Sequence, residues 1–218
     1  MTRAAGPPEK AIRVLDVPAS TGIASLASYE RLRRDYRISR YVLGDQCFRV
    51  LYDPDRGCLF DEDGHLLQVR ERSRFFSIYR PHARGNDSSP LTRALLLPFT
   101  LRSWYLKRRH RLSGATDPVP ILLTHPDIEP HLADGVMQLE RVNVFEDIPG
   151  EYDLILSFNL LQRNYFPPAA IARGMEKLGN ALSEDGVLVV GSPDVGGTHL
   201  VARKQGGRVV IVKQTGRF

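Results

Sequence analysis

The chain has 218 residues, 42% of them apolar and 25% charged, which suits a folded globular protein rather than a disordered one. Thirty Lys and Arg against 25 Asp and Glu give a net charge of +5, a mild excess that admits an anionic ligand without requiring nucleic acid. No apolar run approaches the ~20 residues of a membrane span, the start "MTRAAGPPEK" lacks the apolar stretch of a secretion signal, and the two cysteines, Cys47 and Cys58, have neither metal-binding nor disulfide spacing. A cytoplasmic location is the expectation.

Residues 1–10 read as a lead broken by Gly6-Pro7-Pro8. Ile12–Val17 is a buried-strand candidate, and Gly22 leads into a helix over 24–37 whose apolar stripe is Ile23, Leu26, Ala27, Tyr29, Leu32 and Tyr36. Ile38–Asp45 is a second strand ending at an acid. From 47 to 80 the pattern changes to short β-rich pieces separated by "DPDRG" and "DEDG", which predicts two or three antiparallel strands. Residues 82–90 read as a loop, and 91–111 as a helix interrupted or kinked near Pro98. "VPILLTHPD" and "VMQLERVNVFED" each suggest a strand. "EYDLILSFNLL" is nearly continuous in apolar character, as in a strand covered on both faces. A helix over 167–183, with Ile171, Met175, Leu178 and Leu182 on one face, ends at "SEDG". The strand "VLVVGSP" follows, then a hairpin across Gly206-Gly207.

Strands alternating with helices imply a doubly wound, mostly parallel α/β sheet, closed by an antiparallel C-terminal hairpin. The expected organisation is one domain, 1–218, carrying a β-hairpin and helix insertion at 47–115. In such sheets ligands sit at the carboxyl ends of the strands. There "VLDVPASTG" places Asp16 before a turn of small residues, Pro18, Ala19, Ser20 and Gly22, that lets backbone approach a ligand closely. A dinucleotide site would show G-x-G-x-x-G, and only Gly22 is present.

The turn resembles the first motif of class I S-adenosylmethionine-dependent methyltransferases, Asp-x-Gly-x-Gly-x-Gly, with Pro18 and Ser20 in place of two glycines. "ASTG" is similar to the "CSTG" turn of chemoreceptor glutamate methyltransferases, although the helical N-terminal domain of those enzymes is absent. The resemblance extends over residues 11–46 and 136–218. It implies a seven-stranded Rossmann-like sheet with S-adenosylmethionine as cofactor, held by Asp16, Pro18, Ala19, Ser20, Gly22, Asp45, Asn143, Val144 and Phe158. Asp45 would accept the ribose hydroxyls; a carboxylate offers two acceptor oxygens and no donor. Asp127 is the alternative ribose acid. Asn143 and Val144 would flank the adenine, with local backbone bonding the other reading for Asn143.

Asn159, Arg163, Asn164 and Tyr165 form a polar group at a strand exit, either substrate contacts or a polar loop. Tyr165 and His125 are the candidates for a base or hydrogen-bond partner in transfer to an oxygen or nitrogen of a small, anionic acceptor. The insertion would form the acceptor pocket or lid, with Arg70, Arg72, Arg74, Arg80 and His82 available to an anion. The six histidines lack HxH or HxxxH spacing and "DEDG" lacks a calcium loop, so no metal is expected. "LRSWYLKRRHR" suits phosphate, an anionic membrane surface, or a solvated charged helix face. Nucleic-acid amino-methylation would call for Asn/Asp-Pro-Pro-Tyr/Phe where the chain reads "SFNLL". A non-catalytic binding or scaffold protein of the same fold is the rival reading. The sequence leaves the oligomeric state open, a homodimer included.

Overall fold

The computed structural model describes residues 10–71, 74–78, 90–112, 117–163, 165–192 and 197–216. The chain divides into two compact units, one formed by 1–46 and 124–218, the other by 47–123.

The larger unit is a mixed α/β structure. Its strands are β1 (Ile12–Asp16), β2 (Ile38–Asp45), β8 (Met137–Arg141), β9 (Tyr152–Phe158), β10 (Leu182–Ser192), β11 (Thr198–Gln205) and β12 (Arg208–Thr215), in the order β12-β11-β10-β9-β1-β2-β8. The five strands from β10 to β8 run parallel. β11 is antiparallel to both β10 and β12, so the terminal strand runs in the direction of the first five. The helices are α1 (Ile23–Leu32), α3 (Glu129–Ala133) and α4 (Pro168–Asn180). β1 passes through α1 to β2 in one direction along the sheet, and β9 passes through α4 to β10 in the other. Right-handed crossovers therefore set α1 and α4 on opposite faces.

That arrangement explains the alternation in β1. Leu15 joins Val42, Ile155, Leu188, Val190, Ile171 and Leu178 in one buried cluster on the α4 side. Asp16 is one residue out of phase, so it falls on the α1 side, where its partner Tyr41 meets the α1 residue Tyr29 edge to face at 5.6 Å. Each fully buried Leu or Ile contributes roughly 1.5–3 kcal/mol.

Three boundaries differ from the sequence reading. α1 stops at Leu32 instead of 37. Beyond it "RRDYR" is polar and winds through Arg33 N→Tyr29 O and Tyr36 N→Leu32 O, leaving Tyr36 exposed. α4 ends at Asn180, because Leu182 already belongs to β10. "SEDG" forms an irregularity inside that strand: the register with β9 shifts between Leu182 and Val187, and Asp185 has φ 63°. A Cβ on Gly186 would lie 2.8 Å from Ser183 O and 2.9 Å from Tyr152 O, so glycine is what lets the chain fold against itself there.

The smaller unit holds a five-stranded antiparallel sheet in the order β6-β5-β4-β3-β7, made of β3 (Arg49–Asp53), β4 (Cys58–Phe60), β5 (Leu66–Glu71), β6 (Arg74–Ser77) and β7 (Val119–Leu122). It also holds α2 (Pro90–Arg109). Four strands form where two or three were expected, and "VPIL" joins this sheet beside β3. α2 is one helix that runs through Pro98. Leu106 packs with Cys58, Phe60, Leu66, Val69 and Ile78. Most of the expected 82–90 loop lies outside the described residues. No helix among the described residues is long and apolar enough to cross a membrane.

Candidate functional site

The carboxyl ends of β1, β2 and β9 meet along one rim, stitched by backbone hydrogen bonds. Val17 N donates to Leu156 O at 2.9 Å and Ala19 N to Gly44 O at 2.8 Å, so the turn after β1 is strung between β9 and β2. Asp45, half-buried at the end of β2, closes it: Oδ2 accepts from Ser20 N at 2.8 Å and Oδ1 from Gln46 N at 2.7 Å. Each oxygen keeps a further lone pair. Ser20 (φ 52°) and Gly22 (φ 77°) take left-handed backbone, which turns the chain into α1 with no side-chain cap and no acid in its first turn. The first N–H groups of a helix lack intrahelical partners and carry positive partial charge.

Asp16, the other strand-end acid, is buried. Its Oδ2 accepts from Tyr41 Oη at 3.0 Å. Burial raises its carboxyl above the ordinary carboxylate range, against hydrogen bonds from Ser25 and Tyr41 that lower it. The same contact, with burial first, pushes the Tyr41 phenol up. These two partners, Ser25 and Tyr41, were not singled out in the sequence. Tyr41 lies 25 residues from Asp16, and only the β1–β2 pairing brings them together.

Gly22 is explained by packing. A Cβ there would lie 2.2 Å from Ile128 Cδ1, a fully buried side chain of the 3-10 turn Pro126–Ile128. The chain returns to this rim at His125, whose N–H donates to Thr21 O at 2.8 Å. His125 Nδ1 lies 3.3 Å from Asp127 N. Asp127 lies in the same turn, following β7 of the other sheet, with Oδ2 3.5 Å from His125 Nδ1.

Asn143 bonds locally: Oδ1 accepts from Phe145 N at 3.1 Å and Nδ2 donates to Glu146 at 2.7 Å. Gln46, a residue the sequence reading passed over, reaches Asn143 Oδ1 at 3.5 Å and links it to the β2 end. The Val144 side chain is buried in the α4-side cluster. At the β9 exit the Phe158 ring is 40% exposed and lies across Gly191, whose Cβ would fall 2.5 Å from the ring. Asn159 (φ 63°) donates its N–H to Gly191 O at 2.8 Å, and its carbonyl accepts from Gln162 Nε2 at 2.8 Å. Tyr165 is exposed and stacks edge to face with Phe166 at 6.5 Å; Arg163 is exposed in the same loop. Asn164 lies outside the described residues.

In the smaller unit Arg70 lies over Phe75 and Arg74 is exposed, while Arg72, Arg80 and His82 fall outside the described residues. "DEDG" makes a hairpin turn, with Asp61 N→His65 O at 2.9 Å and Asp61 Oδ1 accepting from His65 N at 2.7 Å. It brings ligand atoms of Asp61, Asp63 and His65 within 4.8 Å of one another.

No family model matches the sequence, and no curated protein matches it. Among solved structures the chain is similar to an O-methyltransferase family protein from Burkholderia thailandensis (12% identity, 86% of this chain and 34% of that one, TM-score 0.40). It is also similar to the [4+2]-cyclase SpnF (12% identity, 84% and 39%, TM-score 0.36). A third is the N-methyltransferase NodS from Bradyrhizobium japonicum WM9 in complex with S-adenosyl-L-homocysteine (11% identity, 84% and 53%, TM-score 0.35). The chain spans 34–53% of the length of these three structures. At these identities the activities named belong to those proteins.

Proposed function

We propose that the larger unit binds S-adenosylmethionine at the rim of β1, β2 and β9 and catalyses methyl transfer to an oxygen or nitrogen of a small, anionic acceptor. The observation that carries this reading is the 2.8 Å bond from Ser20 N to Asp45 Oδ2, which sets the β2 carboxylate against the small-residue turn after β1. A nucleoside needs that pairing: a half-exposed carboxylate with unused lone pairs for the ribose hydroxyls, beside backbone without bulky side chains.

The donor set fits the cofactor in part. Asp45 would hold the ribose, in preference to Asp127, whose strand belongs to the other sheet. The exposed Phe158 ring offers an apolar face, and the α1 N-terminus suits a carboxylate. Asn143 and the Val144 backbone border the adenine end, with Gln46 beside them. Asp16 would act from beneath, fixing the turn through Tyr41 and Ser25. S-adenosylmethionine, when bound, supplies a methyl group already activated on a sulfonium. The protein's task is then to hold an acceptor in line and keep water out. With Nδ1 engaged by Asp127 N, His125 would meet the acceptor through Nε2, as a hydrogen-bond partner or a base. Asn159, Arg163 and Tyr165 would orient the acceptor at the β9 exit.

Calorimetry with S-adenosylhomocysteine tests this. Binding should be measurable, and Asp45→Ala should weaken it at least about tenfold, the loss of two charge-assisted hydrogen bonds. Unchanged affinity in that variant sinks the site assignment. A second reading, a non-catalytic binding or scaffold protein, is favoured by one observation: Ile128 fills the space over Gly22, so that glycine is needed for packing whether or not a ligand binds. Binding without methyl transfer to any acceptor would select it.

A further inference from the structure

We infer that α2 is a peripheral membrane-binding helix that lies on anionic phospholipid with Leu97, Leu101, Trp104 and Tyr105 inserted. At 3.6 residues per turn, Leu97, Leu101, Trp104 and Arg108 recur at i, i+4, i+7 and i+11 and share one stripe, with Tyr105 beside it. The opposite side, Ser103, Leu106 and His110, faces the smaller sheet, where Leu106 completes the apolar cluster. Leu97, Leu101, Trp104 and Tyr105 are 53–59% exposed. The solvated side of this helix therefore carries an apolar stripe interleaved with cations.

The charge pattern selects the occupant. Residues 88–116 hold six Lys and Arg and no acid. Arg102 is committed inward, on Glu71 at 2.8 Å and over the Phe76 ring at 4.0 Å. Lys107, Arg108, Arg109 and Arg111 are exposed beside the stripe, Arg108 lying over Trp104 and Arg109 reaching Tyr105 Oη at 3.5 Å. Aromatic rings at the headgroup level, aliphatic side chains below and long cationic side chains reaching up to phosphate form an interfacial helix. A second copy of this acid-free stripe would set like charges together, whereas an anionic bilayer neutralises them. The inference is independent of the methyl-transfer reading.

Trp104 is the only tryptophan in the chain, so its emission reports on this helix alone. The intact protein is titrated with vesicles of phosphatidylcholine, with and without phosphatidylglycerol. Trp104 emission should shift to the blue, and be quenched by brominated acyl chains, with the phosphatidylglycerol vesicles, and the shift should weaken at high salt. Leu97→Glu with Leu101→Glu, at exposed positions that keep the tryptophan, should weaken partition at least about tenfold with unchanged circular dichroism. Sedimentation of the wild-type protein with vesicles supplies a readout that needs no variant. Unchanged emission with anionic vesicles overturns the inference. So does a shift that appears without lipid as protein concentration rises, which would mark self-association, or an equal shift with a DNA duplex.

Discussion

The two sheets bury apolar surface in different ways. In the seven-stranded sheet, parallel neighbours must be joined by crossovers, and those crossovers supply α1 and α4 on opposite faces. Adjacent residues of one strand, Leu15 and Asp16, therefore both end buried, on different sides. In the five-stranded sheet the four strands from β3 to β6 are linked by hairpins, and the described apolar core is one cluster capped by Leu106 of α2. β7 is exposed along its length and β6 nearly so. An antiparallel sheet tolerates a single covered face. A chain that needs only one cover can spend the outer side of that cover on another partner, and α2 presents its lipid-suited stripe there.

If the smaller sheet depends on one cover, truncating that cover should be costly. Leu106→Ala removes a fully buried side chain from the shared cluster and should lower stability by about 3 kcal/mol. The check is the urea midpoint of Trp104 fluorescence. A loss below about 1 kcal/mol would mean that α2 is not what closes this core. The larger unit has its own critical point at Gly22. Gly22→Ala forces a left-handed backbone on alanine and drives its methyl into Ile128 Cδ1, for about 2 kcal/mol by chemical denaturation. Ile128→Val deletes that atom, so in its background the same change should cost only about 1 kcal/mol, the backbone share.

How much of this was legible follows from the same contrast. β1, β2 and β9 could be read because a strand sandwiched between helices is nearly continuous in apolar character and stops at a small-residue turn or an acid. The rim acids Asp16 and Asp45 were visible for that reason. Their different surroundings were not, since Tyr41, Ser25 and Ile128 are brought in by pairing and packing across the fold. The start of β10 was hidden because Ser183 to Gly186 carry turn chemistry and still lie within a strand. The outer stripe of α2 was masked by the cations interleaved with it.

The unequal burial of the two acids predicts a pH signature. Burial raises the Asp16 carboxyl above its ordinary value of 3.8, so the folded state holds that proton more tightly than the unfolded chain. The stabilisation from the proton is complete below the unfolded value and is lost as pH climbs through the raised folded value, above which the cost of the buried charge is present in full. Asp16→Asn keeps an acceptor for Tyr41 without the charge. It should be at least as stable as the wild type at pH 7, with its advantage shrinking as pH falls toward 4 and below, measured by thermal melts across pH. An Asn variant that is less stable at pH 7 would show that the hydrogen bonds to the carboxylate outweigh its desolvation.

The smallest effect separates structure from recognition at Asn143. Its side chain caps the turn after β8 through Phe145 N and Glu146, which predicts a loss of only about 0.5–1 kcal/mol for Asn143→Ala. If that is its whole role, affinity for S-adenosylhomocysteine should be unchanged. A drop in affinity well beyond the drop in stability would instead place the side chain against the adenine, and Gln46, whose Nε2 lies 3.5 Å from Asn143 Oδ1, would be the residue through which the two strand ends share that load. Gln46→Ala made alongside distinguishes these outcomes, because it leaves the Asn143 cap intact while removing the link to β2.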